Sequence, residues 1–233
     1  MEKVEVGGVK FYPFENKMEL LKELDKSENK MIFAVNARKI MTSPDSLKKT
    51  ISDHFGYIDG HGAIWAAKRM GYNQKMVRIP GVELWLSIIK NDPSKRFYLL
   101  GAKQEVLDKV VRKLNEEIPE INLVGYRNGY FNQNEIPCIA EDIKIAKPDY
   151  VFVALGSPLQ EKTMMRLYKD YATSYMGVGG SFDVYSENVE RAPKVFQKLG
   201  LEGMYRFASN PKRLLDREIF YGRYFKQLIT GKF

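Results

Sequence analysis

Asp59 is a residue of this chain that could do chemistry, although its own neighbourhood reads first as a turn. It sits in Tyr57-Ile58-Asp59-Gly60-His61-Gly62, just after an apolar run that reads as a strand, and the two glycines allow a ligand close to the backbone. A carboxylate at a strand end facing a cleft can take a proton from an attacking hydroxyl, the role of a general base. The same Asp-Gly pair also suits an ordinary turn. His61, two residues on, could serve instead as base or ligand. Asn36 ends an earlier apolar run in Ala34-Val35-Asn36-Ala37-Arg38-Lys39, where its amide would either fix a substrate hydroxyl or cap a helix. Arg38 and Lys39 would meet a phosphate or stand as surface charges. Arg78, before Pro80 and Gly81, is either a ligand to an anion or an exposed residue beside a turn.

Glycine follows three further strand-like runs: Leu99-Leu100-Gly101, Ala154-Leu155-Gly156 and Gly177-Val178-Gly179. Such junctions leave backbone N–H groups at helix starts past the carboxyl edge of a sheet, where an anion can accept them. Glycine there also merely lets a chain turn sharply. Gln160 and Glu161 open the stretch after Gly156-Ser157-Pro158, and Pro and Glu suit a helix start for structural reasons too. Several signatures are missing: a G-x-x-x-x-G-K-[ST] phosphate loop, a G-x-G-x-x-G dinucleotide fingerprint, a G-x-S-x-G serine elbow and a D-x-D metal clamp. If a diphosphate leaves during the reaction, arginines, lysines and backbone amides must neutralise it.

The elements that must hold these residues follow from the apolar pattern. Short β-branched or aromatic runs at 31–35, 55–58, 96–100, 121–124, 150–155 and 175–178 alternate with stretches of three- and four-residue apolar spacing at 104–117, 134–146 and 159–171. That alternation predicts an α/β fold, a Rossmann-like parallel sheet flanked by helices. The 233 residues, 44% of them apolar, suffice for one domain with an appendage. We place the boundary so that 1–203 is the α/β domain and 204–233 the appendage.

Charge narrows the class of partner. The chain carries a formal +8, which favours nucleic acid, anionic lipid or phosphorylated substrates. The appendage holds seven basic residues, two acids and seven aromatics, a net +5, and from Pro211 it reads as a basic amphipathic helix. Such helices suit a lipid headgroup interface, where this charge would contribute at most about 5 kcal/mol before screening. Alternatively its aromatics pack on the core and its charges are solvated. Start-to-end, no signal peptide and no run of membrane-spanning length is evident, and one cysteine and two histidines leave no disulfide or ordinary zinc cluster. These features point to a cytoplasmic protein without a metal or other cofactor.

Taken in order, the segments AVNARKI (34–40), DG (59–60), RIPGVELW (78–85), FYLLGAKQEVL (97–107), GYRNGYF (125–131), VALGSPLQE (153–161) and 175–207 form one series. This series resembles the WecG/TagA/CpsF glycosyltransferases, glycosyltransferase family 26, from about residue 5 onward. The segments are most like those of the branch that transfers N-acetylmannosaminuronic acid in enterobacterial common antigen synthesis.

The resemblance implies an inverting, metal-independent transfer from a UDP-sugar to GlcNAc carried on a polyprenyl diphosphate, at the inner face of the cytoplasmic membrane. It implies Asp59 as the base, with Asn36, Arg78, Gly101, Gly156, Gln160 and Gly179 binding substrate. Arg206, Arg213 and Arg217 match the C-terminal arginines thought to complete the site over the diphosphate. Nucleic acid is not an implied partner, and a homo-oligomer is compatible with the sequence. Ala34 stands where the branch that transfers N-acetylmannosamine has threonine, which favours the acidic donor. Arg38 replaces a usual glutamate, Ser186-Glu187 a Thr-Gly or Ala-Gly pair, and Gly203 a tryptophan. The competing readings are a UDP-N-acetylmannosamine transferase and a non-catalytic nucleotide-binding module.

Overall fold

The computed structural model describes residues 1–26, 28–188 and 215–231, with side chains from 222 onward in the last stretch. The elements in order are β1 (Val4–Val6), β2 (Val9–Phe11), α1 (Lys17–Asp25), β3 (Met31–Val35), α2 (Ala37–Thr42), α3 (Asp45–Asp53), β4 (Phe55–Ile58), α4 (His61–Arg69) and α5 (Gly81–Asn91). They continue with β5 (Arg96–Gly101), α6 (Gln104–Glu117), β6 (Asn122–Arg127), α7 (Ile136–Ala146), β7 (Tyr150–Ala154), α8 (Leu159–Asp170), β8 (Ser174–Gly177), α9 (Ser181–Tyr185) and α10 (Leu215–Thr230). A six-stranded parallel sheet runs in the order β4-β3-β8-β7-β5-β6, flanked by helices, as the alternating pattern predicts. Every residue of β7 is buried. Burial on both faces is why that strand reads as continuous apolar sequence and does not alternate.

Two compact units can be distinguished. The first comprises Met1–Glu15, Val35–Arg78 and Glu190–Phe233. Its β1–β2 hairpin buries Val4, Val6, Val9 and Phe11 on one face, turning at Gly7-Gly8, both with positive φ (58° and 78°). Positive φ at both turn residues matches the twist of a two-residue hairpin. Tyr12, Phe14 and Phe55 pack with ring centroids 5.0–5.7 Å apart.

The second unit comprises Asn16–Ala34 and Ile79–Val189. Its centre is Trp85 of α5, fully buried, with Phe152, Phe182 and Tyr185 at 5.3–5.7 Å. Such tilted and edge-on pairs add about 0.5–1.5 kcal/mol each beyond burial. The end of α9 is tied to α6: Tyr185 Oη donates to Glu117 at 3.0 Å, and Lys113 pairs with Glu187 at 2.6 Å. Glu187 has φ +60°, a conformation that favours glycine.

Several boundaries shift from expectation. The sixth strand in the sheet, β6, runs 122–127 and not 121–124, with a register irregularity opposite Phe97/Tyr98. The helix expected from 134 starts at Ile136, because 133–135 form a 3-10 turn closed by a capping box of Asn132 and Glu135. Strand β8 begins one residue early, at Ser174. Among the described residues no helix is long and apolar enough to cross a membrane. The 203/204 boundary lies outside the described residues.

Candidate functional site

Asp59 follows β4 directly, and its N–H donates to Val35 O at 2.9 Å, which carries strand pairing one residue beyond β4. Gly60 then caps α4 without a side-chain hydrogen bond. Asn36 occupies the equivalent position after β3. Its Oδ1 accepts from Lys39 N at 3.1 Å, the capping role that the sequence left open. A Cβ on Gly60 would lie 3.2 Å from Asn36 Cβ, so the two strand ends touch. Arg78 is half-buried and not simply an exposed turn residue: its Nε donates to Asp59 O at 3.1 Å. Arg38 is exposed, whereas Lys39 is buried.

Two polar atoms of this cluster are left over. The Tyr57 hydroxyl and His61 Nδ1 are buried with no hydrogen-bond partner among the described residues. A buried unsatisfied group costs about 1–3 kcal/mol, so its persistence calls for a reason such as a ligand or a strain reservoir. Burial first, and then the Asp59 carboxylate, push the Tyr57 hydroxyl well above its ordinary pKa. Burial first, and then the Arg78 guanidinium, hold the His61 imidazole below its ordinary value. Asp59 therefore has a guanidinium and two neutral, ionisation-resistant groups for neighbours.

Helix α10 closes onto this segment. Tyr224 is 2% exposed, and its hydroxyl donates to Gly62 O at 2.6 Å. Gly62 makes this approach possible, because a Cβ there would stand 2.8 Å from Ala37 Cβ and 3.3 Å from Tyr224 Oη. Arg69 caps the other end of the contact, donating from Nε to Leu228 O at 3.0 Å and from Nη2 to Ile229 O at 2.9 Å. Cationic groups at the carbonyl end of a helix satisfy its orphan acceptors. Tyr224 thus packs inward, while Phe225 and Ile229 remain exposed. Sequence reasoning missed the contacts of Arg69 and Tyr224, and it read Gly62 as room for a ligand and not for the Tyr224 hydroxyl. Arg206 and Arg213 lie outside the described residues, as does the side chain of Arg217 on α10.

In the second unit the three glycine junctions differ in kind. Gly101 has φ +128°, and a Cβ there would reach within 2.4 Å of Ala154 O, so close strand packing demands glycine. Gly156 has φ +74° with nothing nearby, so backbone conformation alone demands it. Gly179 has φ +56°, and its N–H donates to Gln160 Oε1 at 2.9 Å. Gln160 and Glu161 open α8 as expected, but both are buried. Gln160 N donates to Gly156 O at 2.8 Å, so Gly156, Gln160 and Gly179 belong to one hydrogen-bonded cluster.

The structure therefore gathers Asn36, Asp59, His61 and Arg78 in the first unit and Gly156, Gln160 and Gly179 in the second. A surface cleft of about 520 Å³ lined by Gly8, Lys10, Lys48, Lys49 and Asp53 shares no residue with either group. Among the described residues, no group of three or more His, Cys, Asp and Glu is arranged to hold a metal ion.

Residues 4–232, nearly the whole chain, match the family model described as the Glycosyl transferase WecG/TagA/CpsF family. The match takes in every candidate residue above, and with the α/β architecture it agrees with the resemblance carried by the seven segments. The chain belongs to the WecG/TagA/CpsF glycosyltransferases, a family of cell-surface polysaccharide synthesis that works with a sugar-nucleotide donor and a lipid-linked acceptor.

Proposed function

We propose that this glycosyltransferase moves N-acetylmannosaminuronic acid from UDP to GlcNAc on a polyprenyl diphosphate, with inversion and without a metal, in synthesis of the enterobacterial common antigen type. Asp59 takes the proton from the acceptor hydroxyl as that oxygen attacks the anomeric carbon, and UDP departs. Arg78 and Asn36 stand beside the base. Gly101, Gly156, Gln160 and Gly179 serve the donor, and Arg206, Arg213 and Arg217 neutralise its diphosphate.

The observation that carries this reading is the setting of Asp59. It lies at the carboxyl end of a parallel strand with Arg78 bonded to its carbonyl and two buried polar atoms nearby that have no hydrogen-bond partner among the described residues. Ligands to open α/β sheets bind beyond the carboxyl ends of strands. For the acidic donor the support is Ala34 in place of threonine. The basic, aromatic tail supports peripheral attachment at the inner membrane face, with Phe225 and Ile229 exposed on α10.

UDP release measured in parallel with UDP-N-acetylmannosaminuronic acid and UDP-N-acetylmannosamine, on a synthetic lipid-diphosphate GlcNAc, tests both levels. Preference for the uronic acid supports the proposal. Preference for N-acetylmannosamine moves the chain to the second donor, and no UDP release from either overturns the transfer reaction.

A further inference from the structure

Ser157, Glu161, Gln160 and Gly179 form a hydrogen-bond chain with a fixed direction. Ser157 Oγ donates to Glu161 Oε2 at 2.9 Å, Gln160 Nε2 donates to Glu161 Oε1 at 3.1 Å, and Gly179 N donates to Gln160 Oε1 at 2.9 Å. Glu161 is 1% exposed and Gln160 5%. A carboxylate accepts only, so it dictates which end of the neighbouring amide turns toward it. Flipping the Gln160 amide would set its oxygen against the carboxylate and its NH2 against the Gly179 N–H. The amide is also boxed in, because a Cβ on Gly177 would come within 2.7 Å of Gln160 Nε2. Gly179 itself holds a left-handed conformation, φ +56°. One buried carboxylate thus sets, through one amide, the course of the backbone at the end of β8.

We infer that Glu161 and Gln160 are positioning residues that fix the 177–180 turn through the Gly179 N–H, so that the turn presents its backbone to the anionic diphosphate of the donor. The role in donor binding rests on the transfer reaction proposed above, whereas the turn-setting role does not. In this arrangement Gln160 acts through the turn and not by touching the sugar nucleotide. Both polar ends of its side chain already have partners within the protein.

The direction of the chain supplies the test. In Glu161→Gln the new amide offers one acceptor to two donors, and in Gln160→Glu two carboxylates face each other. The double exchange Q160E/E161Q reverses the polarity and restores complementarity with the same net charge. The carboxylate at 160 accepts from Gly179 and from the amide at 161, whose oxygen accepts from Ser157.

Hydrogen exchange of the Gly179 amide and UDP affinity should be measured on the full chain. Each single variant should speed Gly179 exchange and weaken UDP by about tenfold, the scale of one lost buried hydrogen bond. The double exchange should return both near wild type. Unchanged exchange in the single variants overturns the inference, as does failure of the double exchange to restore it. Restored exchange with UDP affinity still lost shows that Gln160 touches the ligand, and overturns it as well. Restored exchange in a protein that binds no UDP even as wild type supports the turn-setting role and overturns the donor reading instead. Should the single variants not fold, a folded double exchange supports the inference and an unfolded one overturns it.

Discussion

The surroundings of Asp59 and those of Gly179 solve opposite problems. Around Asp59 the frame is backbone: its N–H pairs with Val35 O, Arg78 grips its carbonyl, and Tyr224 grips the carbonyl of Gly62. Polar side-chain atoms are left over there, on Tyr57 and His61. Around Gly179 the frame is side chain, because Ser157, Glu161 and Gln160 are consumed in one buried chain of hydrogen bonds. What remains to meet a ligand there is main chain. The difference teaches that the first region keeps its chemistry in replaceable groups and the second in its shape. Removal of a functional group should therefore disable the first, and added bulk or a broken hydrogen-bond polarity should disable the second.

The largest expected effect follows directly. Asp59→Asn keeps size and backbone contacts but removes the proposed base, so turnover should fall about 10²–10⁴-fold, with thermal stability and UDP affinity retained. Near-normal turnover would end the assignment of Asp59 and the comparison with it.

Gly101→Ala probes bulk in the same unit as Gly179, at the end of β5. A methyl group placed 2.4 Å from Ala154 O at φ +128° should cost about 3 kcal/mol or more in urea unfolding, through overpacking and backbone strain together. A cost below about 1 kcal/mol would show that shape is less strictly held there than argued.

Tyr224→Phe removes one hydroxyl and leaves Gly62 O without that donor, at about 1 kcal/mol in chemical denaturation. Faster proteolysis of α10 should accompany it. An unchanged digestion pattern would detach α10 from the frame around Asp59.

The smallest effect is a pH dependence. His61 has a folded pKa below its unfolded value, chiefly through burial, so the unfolded chain takes up its proton first as pH falls. Stability should therefore decline as pH drops below about 6.5, the unperturbed value, and level off once folded His61 also protonates. His61→Gln should flatten that part of the curve in thermal unfolding against pH. An identical curve would mean that the leftover nitrogen is not set apart electrostatically.

Much of the sheet was legible because most of its strands, β6 apart, are largely buried. The runs at 31–35 and 55–58 and the helix at 104–117 were read to the residue, since continuous apolar stretches and a regular apolar stripe need no partner to be recognised. The β1–β2 hairpin was not read, although the alternation around Gly7-Gly8 was plain, because three-residue strands lie at the lower limit of strand length. Helices α1 to α5 and α9 escaped as well. All but α5 have nine residues or fewer, and α2 starts from an asparagine whose chemical and capping roles look alike in sequence.

The candidate site was legible as residues but not as relations. Asn36, Asp59, Arg78 and Gln160 were singled out from strand ends and from the family resemblance, yet nothing in their spacing said that Arg78 holds the Asp59 carbonyl or that Gln160 faces Gly179. Bonds across 19 positions depend on where two loops meet, and local periodicity carries no information about that.

The sequence by itself determined the α/β class, the parallel sheet and the strand-end positions of the candidate residues, because buried strands and helix stripes impose their own periodicities. Tertiary structure alone decided which polar groups are satisfied and which are left over. The hydrogen-bond partner of a buried atom is supplied by a distant segment, and only packing brings that segment within 3 Å or so of it. On that ground Asp59 stands among leftover groups and Gln160 among satisfied ones.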